Sequence, residues 1–162
     1  MERARALTPG TRQTPTSPSE RFRLGYTLTC ERGRVDLTQV HAWLSQEAYW
    51  AMGRERDVVE RSIAGSLPYS VFADGRQVAF ARVVTDSVTF AWICDVFVDK
   101  HHRSLGLGSW LVESIVADLG VLDVRRLVLV TRDAHEVYRR LGFKALGGPD
   151  HWMEIDLRPA VS

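Results

Sequence analysis

The sequence predicts an α+β domain built on an antiparallel meander flanked by helices. Two β-rich runs, residues 69–73 and 77–84, flank Asp74 and Gly75, and Asp-Gly between strands is a strong hairpin signal. A helix is predicted where apolar residues recur at every fourth position, at Leu107, Leu111, Ile115 and Leu119. The 162 residues suit one domain with a real core.

Composition excludes several classes of protein. A net charge of +1 supplies no basic field for nucleic acid. The chain has no apolar run near the roughly 18 residues of a membrane span, so we expect no membrane partner. Cys30 and Cys94 lack zinc-type spacing, and the five histidines show no metal pattern, so we expect no metal and two reduced, buried thiols. Such thiols suit a cytoplasmic protein.

The N-terminal part divides into a tail and the first elements of the domain. Residues 1–20 hold three prolines without apolar periodicity and predict a disordered tail, which leaves residues 21–158 for the domain. Residues 22–30 alternate weakly and predict the first strand. Asp36 with Gln39 predicts a capping-box helix start, and residues 57–63 predict a second short helix.

The remaining elements follow the hairpin. Residues 88–98 are apolar on both faces, which predicts a strand in the middle of the sheet. Residues 126–130 predict a buried strand. A helix is then predicted from an Asp133 cap to Arg140, ended by Gly142. The closing strands predicted are residues 144–146 and 152–156.

One stretch carries a ligand signal. A strand ending at Val98 leads through a charged loop into Arg103-x-x-Gly106-x-Gly108, which opens the helix. A glycine-containing turn before a helix N-terminus exposes unpaired N–H groups and forms an anion site. The glycine spacing matches neither the dinucleotide nor the P-loop pattern. The alternative is a loop that only opens a core helix.

The stretch resembles motif A of the GNAT superfamily, the acetyl-CoA-dependent N-acetyltransferases. Arg103, Gly106 and Gly108 fall on the fixed positions of its Arg/Gln-x-x-Gly-x-Gly/Ala pattern. Residues 134–143, Ala-His-Glu-Val-Tyr-Arg-Arg-Leu-Gly-Phe, resemble the family's later signature, Ala-x-x-apolar-Tyr-x-x-Leu-Gly-Phe. One departure is Thr131, where many members carry Asn; a hydroxyl lacks the reach of an amide.

The predicted order of strands and helices over residues 22–157 is also that of the family. The resemblance implies the GNAT fold, a central mixed, mainly antiparallel sheet splayed between its fourth and fifth strands and flanked by about four helices. Acetyl-CoA enters the splay, here between residues 88–98 and 126–130. The donor-binding residues so implied are Val96, Phe97, Val98, Arg103, Ser104, Leu105, Gly106, Leu107, Gly108, Ser109 and Thr131.

Two residues are catalytic candidates, one implied by the resemblance and one by its place in the sequence. Tyr138 lies where the family's general acid lies, since a phenol can protonate a departing thiolate; the alternative is a tyrosine that only packs. Asp95 is a carboxylate in an otherwise apolar strand. It is a candidate base, an anchor for the substrate ammonium, or the partner of an arginine such as Arg82. Glu47 is a weaker candidate base.

The expected function is transfer of an acetyl group from acetyl-CoA directly to a primary amine, by a monomer or homodimer. Aromatic residues with arginines on the acceptor side favour a small, partly apolar amine that bears a carboxylate. These residues are Trp43, Tyr49, Trp50, Arg54, Phe80 and Arg82. Alternatives are core aromatics with surface arginines, an acyl-CoA-binding regulatory module without turnover, and an acetyltransferase of protein amines.

Overall fold

The structure, a computed structural model, describes residues 20–158. The tail predicted for residues 1–20 therefore lies outside the described residues, apart from Glu20.

One sheet contains the six strands of the described chain, in chain order. The first five strands pair antiparallel and the sixth joins the fifth in parallel, which confirms the predicted mixed, mainly antiparallel sheet. The strands are β1 (Arg21–Arg23), β2 (Tyr26–Thr29), β3 (Leu67–Ala73), β4 (Arg76–Thr85), β5 (Phe90–Val98) and β6 (Arg126–Val128).

Four α-helices cover the two faces of this sheet within the described residues. They are α1 (Leu37–Gln46), α2 (Arg56–Ala64), α3 (Leu107–Val121) and α4 (His135–Arg140). The α1 and α2 helices bury their apolar side chains against Phe80 and Phe97 on one face. On the other face α3 packs against β3, β4 and β5, and Tyr138 of α4 packs against the same cluster.

Two tight turns depend on residues in the left-handed region. The hairpin predicted at Asp74 and Gly75 is confirmed, with φ values of 48° and 77°. A second hairpin, at Leu24 and Gly25 with φ values of 49° and 83°, divides residues 22–30 into β1 and β2. The prediction of one strand there was wrong because alternation continues across this two-residue turn and hides it.

The start of α1 follows half of the predicted capping box. The Asp36 carboxylate accepts a hydrogen bond from the Gln39 N–H at 3.0 Å. The return bond to the Asp36 N–H comes from Gln77 of β4, whose Oε1 accepts at 2.7 Å. Gln77 is buried, so the cap also ties α1 to the sheet.

A β-bulge in β5 lies opposite Ala81. Phe80 pairs with Phe97 and Arg82 pairs with Cys94, so Asp95 and Val96 together oppose one residue of β4. Asp95 takes up the extra length with a φ of 53°. The bulge shifts the alternation, so that Asp95 and Phe97 face α1 and α2 whereas Val96 and Val98 face α3.

The sheet opens between β5 and β6, as the predicted splay requires. These strands pair only from Phe90 with Arg126 to Trp92 with Val128. Beyond Trp92, β5 runs on for six residues paired with β4 alone. Within residues 20–158, no strand pairs with the other edge of its C-terminal half.

The C-terminal region departs from the sequence predictions. Residues 144–146 and 152–156 form no strands, because the apolar alternation there meets no sheet edge in the described chain. The side chains of Met153, Ile155 and Leu157 are exposed instead. The strand predicted as residues 126–130 is shorter and only half-buried.

The predicted Asp133 cap on α4 is also wrong. The residue before the helix is Ala134, and no side chain caps it. The Thr131 hydroxyl accepts the Ala134 N–H at 3.0 Å instead and closes the turn that leads into the helix. Gly142, with a φ of 92°, follows the end of the helix as predicted.

Candidate active site

The loop before α3 presents a row of free backbone N–H groups. Ser104 and Gly106 have φ values of 64° and 76°, in the left-handed region that occurs in anion-binding turns of the backbone. The N–H groups of residues 104–109 donate to no acceptor within residues 20–158. Because α3 runs for 15 residues, its dipole adds positive potential at this end. The loop, called the cradle below, therefore has the free N–H groups and the helix dipole that the predicted anion site requires.

Gly106 and Gly108 of this loop differ in what a side chain would meet at each position. Gly106 is the N-cap of α3 in the left-handed conformation, which other residues adopt at a cost. A Cβ on Gly108 would instead lie 3.6 Å from Val98 Cγ2, an ordinary contact. Gly108 thus lies where α3 crosses the end of β5.

The free edge of β5 leads from this cradle to the bulge. The Asp99 N–H donates to the Val78 carbonyl of β4 at 2.9 Å. Since N–H and C=O directions alternate along a strand, the polar groups of Phe97 face β4 and those of Val96 and Val98 face the open side. Of Val96, Phe97 and Val98, which the resemblance implies as donor-binding residues, Val96 and Val98 therefore present their backbone N–H groups to the opening.

Arg103 lies between the cradle and this edge. Its Nε donates to the Val98 carbonyl at 3.0 Å, and its guanidinium lies 5.4 Å from the centroid of the Phe97 ring. The Arg103 side chain therefore holds the loop against the end of β5. Its terminal Nη groups remain available for an anion, since they bind no acceptor within residues 20–158.

Tyr138 lies on α4, beyond the end of β6. Its ring meets Phe143 edge to face at 5.9 Å. Burial raises the pKa of the Tyr138 phenol above its ordinary value, and the neighbouring Tyr49 and Asp133 raise this pKa further. The hydroxyl makes no hydrogen bond to another described residue. A phenol that stays protonated at neutral pH and has no fixed acceptor can give its proton to a departing thiolate.

The loop between α1 and α2 contacts the segment that leads into α4. The Arg132 N–H donates to the Tyr49 hydroxyl at 3.3 Å, and the Arg132 guanidinium lies 3.7 Å from the Tyr49 ring centroid. Trp50 meets Tyr49 at right angles at 5.0 Å. These contacts bring the two aromatic residues to the acceptor side of the opening. Arg132 had no distinguishing sequence signal.

Asp95 lies at the bulge and is the centre of a buried cluster. Its Oδ2 accepts from Arg82 Nε at 2.6 Å and from Arg54 Nη1 at 2.8 Å, and its Oδ1 accepts from Trp50 Nε1 at 3.1 Å. The Asp95 side chain is only 2% exposed. Three of its roughly four lone-pair sites are thus committed. Of the alternatives for Asp95, the geometry favours the ion pair with Arg82, to which the structure adds Arg54.

The other acceptor-side candidates divide into two groups. Trp43 and Phe80 are fully buried, and Trp43 stacks on Phe97 at 5.3 Å, so these rings belong to the core. Of the other four, Trp50, Arg54 and Arg82 donate to Asp95, and Tyr49 contacts Trp50. Glu47 ends α1 as an exposed C-cap residue and makes no ion pair within the described chain.

Neither cysteine forms a disulfide, and both are partly buried. Burial raises the pKa of the Cys94 thiol to about 11. Its Sγ–H donates to the Arg82 carbonyl at 3.6 Å, which keeps the thiol beside Asp95 in its protonated form. No group of three or more His, Cys, Asp or Glu residues between positions 20 and 158 is arranged to hold a metal ion.

Two cavities lie near the site. One of about 350 Å³ runs beside β6 and α4 and includes Thr131 and Tyr138 among its walls. The other, of about 550 Å³, lies between the β3–β4 turn, the start of α1 and Asp99. It is lined by neither Asp95 nor Tyr138, so we place the chemistry at the open edge of β5 instead.

The loop before α3, the open edge of β5 and Tyr138 are arranged as an acyltransferase with an extended, phosphate-bearing donor would require. A model of the Acetyltransferase (GNAT) family matches residues 37–143. The chain therefore belongs to the GNAT acetyltransferase family, as the sequence resemblance predicted.

Individual relatives agree with this family. A crystal structure from Xanthomonas campestris pv. campestris, of a protein assigned to the GNAT family, is 38% identical with a TM-score of 0.78, covering 82% of this chain and 93% of that one. A Gibberella zeae protein named as an acetyltransferase is 23% identical over 150 residues, which are 80% of this chain and 85% of that protein. Serotonin N-acetyltransferase 2, a chloroplastic protein of Oryza sativa subsp. japonica, is 41% identical over 70 residues, 43% of this chain and 35% of that protein.

No helix within residues 20–158 is long and apolar enough to cross a membrane.

Proposed function

We propose that this chain transfers an acetyl group from acetyl-CoA directly to the primary amine of a small molecule. The observation that carries the proposal is the open edge of β5, which runs from the bulge at Asp95 to the free amides at the start of α3. GNAT acetyltransferases use acetyl-CoA as donor, and the described residues fit its parts in order.

The donor fits because its charged and extended parts meet matching groups. The amides of residues 104–109 would hold the diphosphate, with the Arg103 guanidinium beside them. The N–H and C=O groups of Val96 and the N–H of Val98 would pair with the pantetheine arm as a further strand would. Thr131 contributes less, because its hydroxyl already accepts from Ala134.

Two groups of the chain would then lower the barrier to acyl transfer. Bound acetyl-CoA supplies an acetyl thioester. A free N–H at Val96 or Val98 would polarise the thioester carbonyl. The Tyr138 hydroxyl would give its proton to the leaving thiolate, and burial keeps that proton in place at neutral pH.

Direct transfer is favoured over a route through a cysteine intermediate. Cys94 is the cysteine closest to the bulge in sequence, but its pKa of about 11 leaves little thiolate at neutral pH. Asp95 is held by two guanidiniums, so we assign it to positioning rather than to proton abstraction. We propose that the amine proton leaves to water in the open cleft.

A small acceptor is favoured by the enclosure of the acceptor side. Contact between Tyr49 and Arg132 links the α1–α2 loop to the α4 side and limits the room for a protein chain. The rice relative carries the name of a small aromatic amine, serotonin. An aromatic wall of Tyr49 and Trp50 suits such a molecule.

A panel of amines tests the proposal. Purified protein is mixed with acetyl-CoA and aliphatic amines, aromatic amines, amino acids and peptides, and thiol release is followed together with the mass of the products. We expect release of CoA coupled to a gain of one acetyl group on a small amine. CoA binding without turnover on any amine would instead favour a regulatory module, and turnover on peptides alone would favour a protein acceptor.

A further inference from the structure

We propose that Arg54 and Arg82 bind a carboxylate of the acceptor, which makes the acceptor an amino acid with an apolar or aromatic side chain. This inference rests on the proposed acetyl transfer and specifies its substrate class. It concerns the buried cluster at the bulge, which the transfer itself leaves without a chemical role.

The cluster carries an excess of positive charge. Two guanidiniums share the single carboxylate of Asp95, at 2.8 Å from Arg54 and 2.6 Å from Arg82. The three side chains together therefore hold a charge of about +1. Their exposures are only 22%, 15% and 2%, so solvent screens this charge weakly. An incoming anion would neutralise it.

The two arginines also keep unused donors. Of their nitrogens, only Nε of Arg82 and one Nη of Arg54 donate hydrogen bonds to Asp95. The other nitrogens of these two guanidiniums donate to no acceptor between residues 20 and 158. Every fully buried side-chain nitrogen in that range has a hydrogen-bond partner. The remaining guanidinium nitrogens therefore reach solvent. Guanidinium N–H groups match the two oxygens of a carboxylate in geometry and charge.

The position of the cluster sets the distance expected between the carboxylate and the amine of the acceptor. Asp95 immediately precedes Val96, whose N–H is one of the two that we propose to polarise the acetyl carbonyl. One strand residue spans about 3.3 Å, so the cluster lies roughly one to two residues from that N–H. An α- or β-amino acid has its amine and carboxylate at this kind of separation.

The wall beside the cluster suits an apolar side chain. Tyr49 and Trp50 are 42% and 40% exposed, and their rings meet at right angles. The bond from Trp50 Nε1 to Asp95 fixes the indole beside the arginines. One surface therefore offers cations and aromatic faces together, which a neutral aromatic amine would use only in part.

Matched amine pairs test the inference. Thiol release is measured for phenylalanine and phenethylamine, and for tryptophan and tryptamine. The two members of each pair are compared at equal concentrations of the uncharged amine. We expect kcat/KM to favour the carboxylate-bearing member by roughly 10- to 100-fold, the scale of charge-assisted hydrogen bonds. Arg54→Gln should reduce the preference to near unity. Arg125→Gln removes an exposed arginine four residues after the C-terminal end of α3, and it should leave the preference intact.

A second variant and a binding arm keep the two proposals separate. Arg54→Lys preserves the charge next to Asp95 but not the planar fork, so it should fold and retain only part of the preference. In the binding arm, the CoA-saturated protein is titrated by calorimetry with N-acetylphenylalanine and with N-acetylphenylalaninamide. We expect tighter binding of the carboxylate, lost in Arg54→Gln.

Each outcome decides the matter. Turnover of amines with no preference for the carboxylate, or with a preference for tryptamine, overturns the inference and leaves the proposed function standing. Carboxylate binding that depends on Arg54 without any turnover supports the arginine site and overturns the proposed function. Absence of both turnover and carboxylate binding overturns both proposals.

Discussion

Replacement of Asp95 by Asn tests whether the carboxylate at the bulge holds the acceptor side together. The Asn side chain has the same shape, and Asn tolerates the φ of 53° at this position. The change removes a charge from a side chain that is 2% exposed and leaves Arg54 and Arg82 facing each other without an anion. The perturbation is therefore electrostatic rather than steric.

The expected magnitude follows from the contacts. Removal of one partner of a buried ion pair costs about 3–5 kcal/mol. The amide oxygen of Asn can still accept from a guanidinium, so we take the lower end, about 3 kcal/mol. For a chain of this size each kcal/mol lowers Tm by about 2–4 °C, which gives a loss of about 6–12 °C.

Thermal unfolding followed by circular dichroism provides the assay, and Asp123→Asn provides the control. Asp123 also has a left-handed φ, of 58°, and pairs with Arg125 at 3.0 Å, but both side chains are about four-fifths exposed. The Tm of the Asp123→Asn variant should equal that of the wild type within error. Adding Arg82→Gln to Asp95→Asn should cost less than the sum of the single changes, because it removes one unpaired cation. A wild-type Tm for Asp95→Asn would refute the reasoning.

The remaining predictions concern Tyr138, the two glycines of the loop before α3, and Cys94. Tyr138→Phe should lower kcat by about 10²–10⁴-fold with KM for acetyl-CoA nearly unchanged, and an unaffected kcat would leave Tyr138 a packing role only. Since burial raises the pKa of the Tyr138 phenol, any fall of wild-type kcat from loss of this acid should begin only at a pH above the ordinary tyrosine range, and a fall near neutral pH would argue against it. Gly106→Ala should cost about 1–2 kcal/mol in denaturant unfolding because of its φ of 76°, whereas Gly108→Ala should be close to neutral; equal effects would contradict the assignment. Cys94, with a thiol pKa of about 11, should react slowly with iodoacetamide at pH 8, and rapid alkylation detected by mass would contradict its burial.

Much of the fold was predictable because local signals and tertiary structure agree. The Asp74-Gly75 hairpin, the four-residue period of α3 and the Asp36 cap each depend on neighbouring residues, and all three are confirmed. The errors lie where a pattern needs a distant partner. Residues 152–156 have strand-like alternation, but a strand forms only against a sheet edge, which sequence does not reveal.

The site was predictable in position but not in pairing. The two signatures pointed to the loop before α3, the end of β5 and Tyr138 as candidate site residues, and the structure brings these elements to one opening of the sheet. Asp95 stood out as a lone carboxylate in an apolar strand, but its link to Arg54, 41 residues earlier, depends on the path of the α1–α2 loop. Val96 and Val98 could be separated from Phe97 only after the bulge was known, because one extra residue reverses the facing of all that follow.

Amide chemical shifts on addition of acetyl-CoA test the central claim most directly. Spectra of ¹⁵N-labelled protein are recorded with and without the donor, and each shift is assigned to its residue. We expect the largest changes at Val96, Val98 and residues 104–109, with smaller changes around Tyr138. Changes confined to the cavity between the β3–β4 turn and Asp99, with the α3 amides unmoved, would contradict the placement of the donor along β5.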